Sequence, residues 1–535
     1  MKLNKIERIK RELAPSDFDI RSCDFSNLSE SERFYLKNYG IYNIKLRPQN
    51  FMLRLRLDGG YITKTQFKEL LLLAKEHNLQ MILTARAGIE LHNISAKSII
   101  QIYNLVHNLG LETKQSLTDN IRSLTTDVYD GIAQDSFLEC YLIIKEIKEE
   151  IIGNKKYFGM LPRKFNATFI GRKEPLINPW GNDVLFALAK KNGKFGFNIY
   201  LGGKNTEVAQ SANIFIEPQE AKELFFAIVD SFIEYGLRQS RAKTRLFHLL
   251  EQIGMQSFRE YLQEHYKKPL KSEGELLMQS SFYNLATPLK NSYFGNILQC
   301  HYGEVDVLKA LGQIESTQEI RIGTDQNIHL FNKQESKSSK GLITACAGAR
   351  YCALSLWDIK DDVDLLSLEM FQKEQINIGF SGCLKGCGRH HHNHLGLVGL
   401  RSNMFGKTER AIRIFIGATE LPKPTPARLL YYAVPERAVK ELFETILAEY
   451  KTKEYKNFYE FNTLLNHYSI EVLQLWFIIR QLTAVNTKLI ELFHNAKEKE
   501  LLEELEKLSI YPKDKELYEV VNIVSHLLWD KKDEV

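Results

Sequence analysis

TACAGARYCALS (residues 344–355) and GFSGCLKGCGRHHHNHLGLVG (residues 379–399) hold four of the chain's seven cysteines. Cys346 and Cys352 are separated by five residues, Cys383 and Cys387 by three. Four thiolates at such local spacing can hold an iron–sulfur cluster, because thiolate is the soft, charged ligand iron requires. Gly348, Gly382, Gly386 and Gly388 leave room for backbone close to such a group. Structural zinc sites usually use two-residue spacers, which neither pair has. A disulfide framework is not expected in a large chain whose first residues, MKLNKIERIKRELAP, are charged and lack an apolar signal core. Cys23, Cys140 and Cys300 stand outside the pattern and read as ordinary buried cysteines.

The remaining composition narrows the class. A chain of 535 residues is long enough for three or four cores. Its most apolar run, VLQLWFIIRQL (472–482), contains Arg480 and is too short to span a membrane, so a cytoplasmic location is expected. With 71 Lys and Arg against 66 Asp and Glu the charge is only +5. That argues against nucleic acid as the main partner and leaves small anions or an acidic protein.

FMLRLRLDGG (51–60) alternates Leu53, Leu55 and Leu57 with Arg54 and Arg56, a period-two strand with both arginines opposite the leucines. An amphipathic helix, the strand QMILTARAGIELHN (80–93) and a helix stopping at Gly110 follow. A similar unit recurs in YFGNILQCHYGEVDVLKALGQ (293–313) and EIRIGTDQNIHLFN (319–332). Thr84, Leu91 and Asn93 pair with Thr324, Leu330 and Asn332 with one residue of slippage, which reads as an internal duplication. LPKPTP (421–426) reads as a linker, with nearly all-helical chain beyond about 427. KEKELLEELEKL (497–508) and VVNIVSHLLW (520–529) read as a packing appendage. The domains expected are 1–125, 126–265, 266–340, 341–470 and 471–535.

Cations recur in glycine- or proline-bearing segments: Arg54, Arg56, Arg86, Arg122, Arg163 and Lys164. Gathered together, they would suit a polyanionic cofactor and an anionic substrate. At this point the chain resembles the sirohaem and 4Fe–4S sulfite/nitrite reductases. The Cys-x5-Cys and Cys-x3-Cys pairs with GLVG downstream carry the likeness, with FMLRLRLDGG, DNIRS (119–123), LPRKFN (161–166) and GFNIYLGG (196–203). The resemblance implies an α+β fold: duplicated ferredoxin-like half-domains, two mixed α/β cofactor-binding domains and a helical C-terminal extension. It implies a 4Fe–4S cluster on Cys346, Cys352, Cys383 and Cys387, with Cys387 shared with the sirohaem iron. It implies substrate among Arg54, Arg122, Lys164 and Asn166, and cofactor contacts from Arg54, Arg86, Arg122, Lys164, Gln326, Asn327 and Cys387.

Lys164-Phe165-Asn166 favours nitrite reduction to ammonia, because the sulfite branch of the family tends to carry a second lysine where Asn166 stands. The first cysteine loop, CAGARYC, points the same way. Sulfite reduction to sulfide is the alternative, and a cofactor sensor or bare cluster scaffold are rivals of another class. Glu90 replaces a glutamine of the family and is expected to face away or carry a proton. Asp58, in place of a proline, reads as structural. His390, His391, His392 and His394 read as contacts to cofactor carboxylates or as solvent-exposed. No dinucleotide fingerprint is present, so electrons are expected from a separate protein, a ferredoxin or flavoprotein.

Overall fold

The FMLRLRL segment forms the strand Asn50–Leu55, and Leu53, Leu55 and Leu57 are 0%, 0% and 3% exposed. This is the inward face that period-two patterning requires. The computed structural model describes residues 3–43, 47–290, 293–332, 340–510 and 515–530, in two units, Met1–Ser339 and Lys340–Val535. No helix among the described residues is long and apolar enough to cross a membrane.

In the first unit, Thr63 and Gln66 close a capping box that starts the helix Lys64–Glu76. The strands Gln80–Leu83 and Ile89–Ser95 follow, then the helix Ile99–Asn108, which stops before Gly110 at φ +71° as the sequence predicts. The sheet runs Ile41–Asn43, Asn50–Leu55, Ile89–Ser95, Gln80–Leu83. The second half-domain repeats this with Phe294–Leu298, the helix Val307–Ile314, Glu319–Ile322 and Ile328–Asn332, the last strand again central.

The duplication extends to single residues. Leu83 pairs with Ile89 and Ile322 with Ile328, each across a five-residue loop. Both loops place their fourth residue in the left-handed region, Ala87 at φ 53° and Gln326 at φ 64°. The slippage disappears: Thr84 corresponds to Gly323, not Thr324, while Leu91/Leu330 and Asn93/Asn332 hold. Each half also lends backbone to the other's edge strand. Tyr61–Ile62 pairs with Ile320 and Arg321, and Leu83 N–H donates to the Gly303 carbonyl at 2.7 Å. Glycine is required at both crossings. A Cβ on Gly60 would lie 2.1 Å from the Ile322 carbonyl oxygen, and one on Gly303 2.6 Å from that of Leu83.

The rest of the first unit is built on a sheet ordered Gln210–Ile216, Lys194–Leu201, Val184–Lys191, Ala167–Ile170, Thr125–Thr126. The second unit has a five-stranded sheet ordered Ile343–Ala345, Ile378–Ser381, Leu395–Ser402, Glu409–Ile416, Arg428–Pro435. Taken in chain order, both sheets make two parallel pairings and then two antiparallel ones. Both are followed by a long helix, Ala221–Tyr235 and Glu436–Lys451. The mixed α/β domains are thus a second duplicated pair, which sequence matching did not reveal.

The expectation of helix beyond residue 427 is corrected. Arg428–Pro435 is a strand, and LPKPTP is the connection to it from Glu409–Ile416. Prolines sit where no ladder donor is needed, so they marked a loop and not a domain boundary. The C-terminal helices complete the second unit. Within Ile470–Leu482, Trp476 is 0% exposed and stacks on Phe493 of Thr487–His494 with centroids 4.6 Å apart. Tyr431 and Phe405 meet Trp529 edge-on.

Candidate functional site

Arg54 leaves its strand opposite the leucines and faces Glu90, its partner across the sheet. Its guanidinium ion-pairs with Glu90 Oε1, and Glu90 Oε2 lies 2.9 Å from His92 Nε2. The expectation of a protonated Glu90 is corrected. Burial opposes its charge, but Arg54 and His92 hold the carboxyl well below the usual carboxylate range. Arg56 does not join this group. It is 1% exposed, bonds Asp58 through Nε and Nη2 at 2.8 and 3.0 Å, and donates to the Ile121 and Arg122 carbonyls at 2.7 and 3.1 Å. Asp58 also accepts from Leu124 N–H at 2.8 Å, the structural role expected of it.

Arg122 is held by backbone. Nη1 donates to the Ser116 carbonyl at 2.7 Å, and Nε and Nη2 to that of Thr118 at 3.1 and 3.0 Å. Burial, then the nearby cations Arg54, Arg86 and Arg163, push its pKa well down although Asp119 opposes them. That response reports how closely the predicted cations gather. Asp119, fully buried, offsets part of the charge: Arg241 binds it at 2.6 and 2.7 Å, Lys10 at 2.9 Å and Arg163 at 3.7 Å.

Asn166 is 1% exposed. Its N–H donates to Asp183 Oδ2 at 2.8 Å. With its side-chain amide turned to the orientation that satisfies its neighbours, the oxygen accepts from Arg86 Nη2 at 3.2 Å and Arg245 Nη2 at 3.3 Å. Arg86 Nη1 reaches Asn182 at 2.7 Å, and Arg245 grips both oxygens of Asp183 at 3.0 and 2.7 Å. Phe165, 0% exposed, turns into the core between Lys164, half-buried, and Asn166, the alternation an extended segment gives. Arg241, Arg245, Asp119 and Asp183 escaped the sequence reading. The signal for the two arginines is RQSRAKTR (238–245), four cations in eight residues before the helix Leu246–His265.

Gln326 and Asn327 lie on the second half-domain's hairpin, where Asp325 stands at the position of Arg86. Gln326 donates to the Leu83 carbonyl at 3.2 Å, and Asn327 accepts from Cys300 N–H at 3.1 Å. Asp325 is fully buried with His329 at 3.0 Å and Tyr283 at 2.9 Å. Burial opposes its charge, while His329, Asn327 and Tyr283 lower its pKa. This position carries a cation in the first half and a carboxylate in the second.

In the second unit the four cysteines sit on loops leaving two adjacent parallel strands. Cys346 follows Ile343–Ala345, and its Sγ accepts from the amides of Gly348 at 3.4 Å and Gly382 at 3.1 Å. Burial and then Cys387 raise its pKa to about 11, against those two amides. Burial also raises Cys383, whose thiolate is opposed by Cys387 and Cys352. The thiols therefore feel one another, and a cationic iron core relieves both penalties. Cys387 is exposed, the other three partly so.

The first unit's sheet clarifies this arrangement. Thr126 faces Phe169 across its parallel pair as Ala345 faces Phe380 in the second. Asp127 and Arg172 therefore correspond to Cys346 and Cys383. They form an ion pair at 3.0 Å with both side chains 3% exposed. One copy closes its strand ends with charge, the other with thiols.

The reading of the histidine run as solvent-exposed is corrected. His390, His392 and His394 are 0%, 2% and 5% exposed. His390 Nδ1 bonds Ser381 Oγ at 2.9 Å, and burial pushes its pKa down to about 2. His394 Nδ1 accepts from Asn377 N–H at 2.9 Å, and His391 Nδ1 donates to the Ala427 carbonyl at 2.9 Å. These rings brace the loop that carries Cys383 and Cys387.

A cation cluster in the first unit and a four-thiol set in the second are what an iron–sulfur oxidoreductase acting on an anion needs. Comparison with known proteins agrees. Residues 44–109 match the family described as "Nitrite/Sulfite reductase ferredoxin-like half domain" and residues 117–270 "Nitrite and sulphite reductase 4Fe-4S domain". Both segments lie in the first unit, and the four cysteines lie in the counterpart of the second segment. "Ferredoxin--nitrite reductase" of Leptolyngbya laminosa is 24% identical over 84% of this chain and 97% of its own. That of Synechococcus elongatus is 26% identical over 78% and 90%. The Mycobacterium tuberculosis NirA structure superposes with a TM-score of 0.76 at 19% identity, over 88% of this chain and 97% of that one, and shares its fold. Residues 44–109 and 117–270 are thus nitrite/sulfite reductase family domains, and the chain is an oxidoreductase.

Proposed function

We propose that the protein reduces nitrite to ammonia, with electrons from a ferredoxin. The gathering of Arg54, Arg86 and Arg122 in the first unit, with the four-thiol set in the second unit, carries this reading. Cys346, Cys352, Cys383 and Cys387 would hold a 4Fe–4S cluster, and Cys387, the most exposed, would be the thiol nearest to sirohaem. Bound, these groups supply the six-electron redox chemistry. Arg54, Arg122 and Lys164 neutralise the anion and the acidic side chains of the tetrapyrrole, with Arg86 as a further cofactor contact. Lys164 Nζ holds the proton delivered as N–O bonds break, and Asn166 offers an uncharged donor. The absence of a dinucleotide fingerprint in the sequence and the names of the relatives support a separate ferredoxin donor. A cytoplasmic location belongs to the same reading.

The test is absorption spectroscopy of the purified protein followed by steady-state reduction of nitrite and sulfite with an artificial donor. Sirohaem and cluster bands with a higher kcat/KM for nitrite are expected. Cluster bands without a tetrapyrrole, or no reduction of either anion, would sink the proposal.

A further inference from the structure

The two duplicated sheet domains permit a comparison within one chain. Asn166 has a counterpart in Asn377. The Leu395 N–H donates to the Asn377 carbonyl as Val184 N–H does to that of Asn166, both at 3.2 Å. Asn377 N–H donates to His394 at 2.9 Å where Asn166 N–H donates to Asp183 at 2.8 Å. Asparagine here therefore belongs to the strand entry in both copies. The charge around it differs. The first unit adds Asp183, Arg245 and Arg86, whereas the second has the neutral His394, with burial holding its pKa at about 3.

We propose that Arg245 is a positioning residue for Asn166, and that residues 245 and 166 together, not 166 alone, set the anion preference of the site. Resting on the reading above, this inference adds a residue to it. Arg245 spends two N–H groups on Asp183 and shares Nη2 with the Asn166 oxygen, which Arg86 also holds. With its oxygen between two guanidinium groups, the orientation of the amide is set by residues 86 and 245. A lysine at 166 would bring an ammonium against Arg86 and Arg245, with Asp183 the carboxylate beside them. It fits only when residue 245 gives up its charge and the new ammonium takes over Asp183.

The experiment compares holoenzyme of wild type, Asn166→Lys, Arg245→Gln, the double variant and Arg245→Lys. It records Tm and the separate kcat and KM for nitrite and sulfite. Asn166→Lys alone is expected to lower Tm and depress kcat/KM for both anions. The double variant should have a higher Tm than Asn166→Lys and raise the sulfite-to-nitrite ratio of kcat/KM about tenfold over wild type, the scale of one charge-assisted contact. Arg245→Lys keeps a cation on Asp183 but not the fork that reaches Asn166. It should raise KM for nitrite while kcat and Tm stay near wild type. Additive changes in Tm, a ratio shift from Asn166→Lys alone equal to the double variant's, or an unchanged KM in Arg245→Lys would each overturn the proposal. A wild type that reduces neither anion defeats the functional reading instead, and the Tm cycle still decides whether 245 and 166 are coupled.

Discussion

Glu90 shows how a residue that looks misplaced in the sequence becomes part of the site. An isolated carboxylate beside an anion pocket is unfavourable, and the sequence offers no partner. Its partner, Arg54, lies on a different strand and was itself assigned to the anion. The structure gives Arg54 both tasks, leaving its side chain 29% exposed. Breaking a buried ion pair costs about 3–5 kcal/mol, and the exposure of Arg54 lowers the expectation for Glu90→Gln to about 2 kcal/mol at pH 7. Because the folded pKa of Glu90 is depressed, this contribution is present above the unfolded value of about 4.3 and fades as pH falls below it. Denaturation of wild type and Glu90→Gln at pH 7 and below pH 4 should show the gap closing. A gap independent of pH would exclude the charged pair. Arg54, Arg86, Arg122 and Lys164 were legible because motif and glycine context marked them. Arg241 and Arg245 were not, because a basic run before a helix looks like solvated surface until Asp119 and Asp183 are seen to bind it.

At the scale of elements, period-two alternation identified the strand Asn50–Leu55, the amphipathic pattern the helix after it and Gly110 the end of the next helix. One reading failed where composition misled: prolines in a hairpin passed for a linker. The C-terminal helical tract packs, as the sequence reading expected. Helix Ile470–Leu482 buries seven residues, from Val472 to Ile479. Arg480 Nε binds the fully buried Glu449 at 2.7 Å on the helix Glu436–Lys451. Trp476→Ala should therefore cost about 3–5 kcal/mol, the range for emptying a large aromatic site. A melt of the variant should show a lower transition, with partial loss of cluster absorbance because the same unit carries the thiols. A wild-type melt would mean that these helices are dispensable.

Across the whole molecule the pattern is a chain that repeats a half-domain and a sheet domain and then gives the copies opposite chemistry. Arg86 is answered by Asp325, and Cys346 with Cys383 by Asp127 with Arg172. The second unit's thiols are mutually unfavourable as anions, whereas the first unit's equivalent is self-neutralising. Removing iron with a chelator under reducing conditions should therefore loosen one copy selectively, since a group bound only by the folded state stabilises it. Hydrogen exchange should rise across residues 343–402 and change least across 125–191. Equal loss of protection in both sheets would contradict the assignment of the cluster to the four cysteines.

The sequence by itself marked the four cysteines, the duplication of the half-domains and the main cations, because thiol spacing, alternation and glycine turns are local properties. Only the tertiary structure decided which charges remain for an anion. Arg56 is consumed by Asp58, Arg54 is shared with Glu90, and Asn166 is held by Arg86 and Arg245. Each outcome depends on which strands lie side by side, and in a buried site the nearest opposite charge decides what a guanidinium is free to bind.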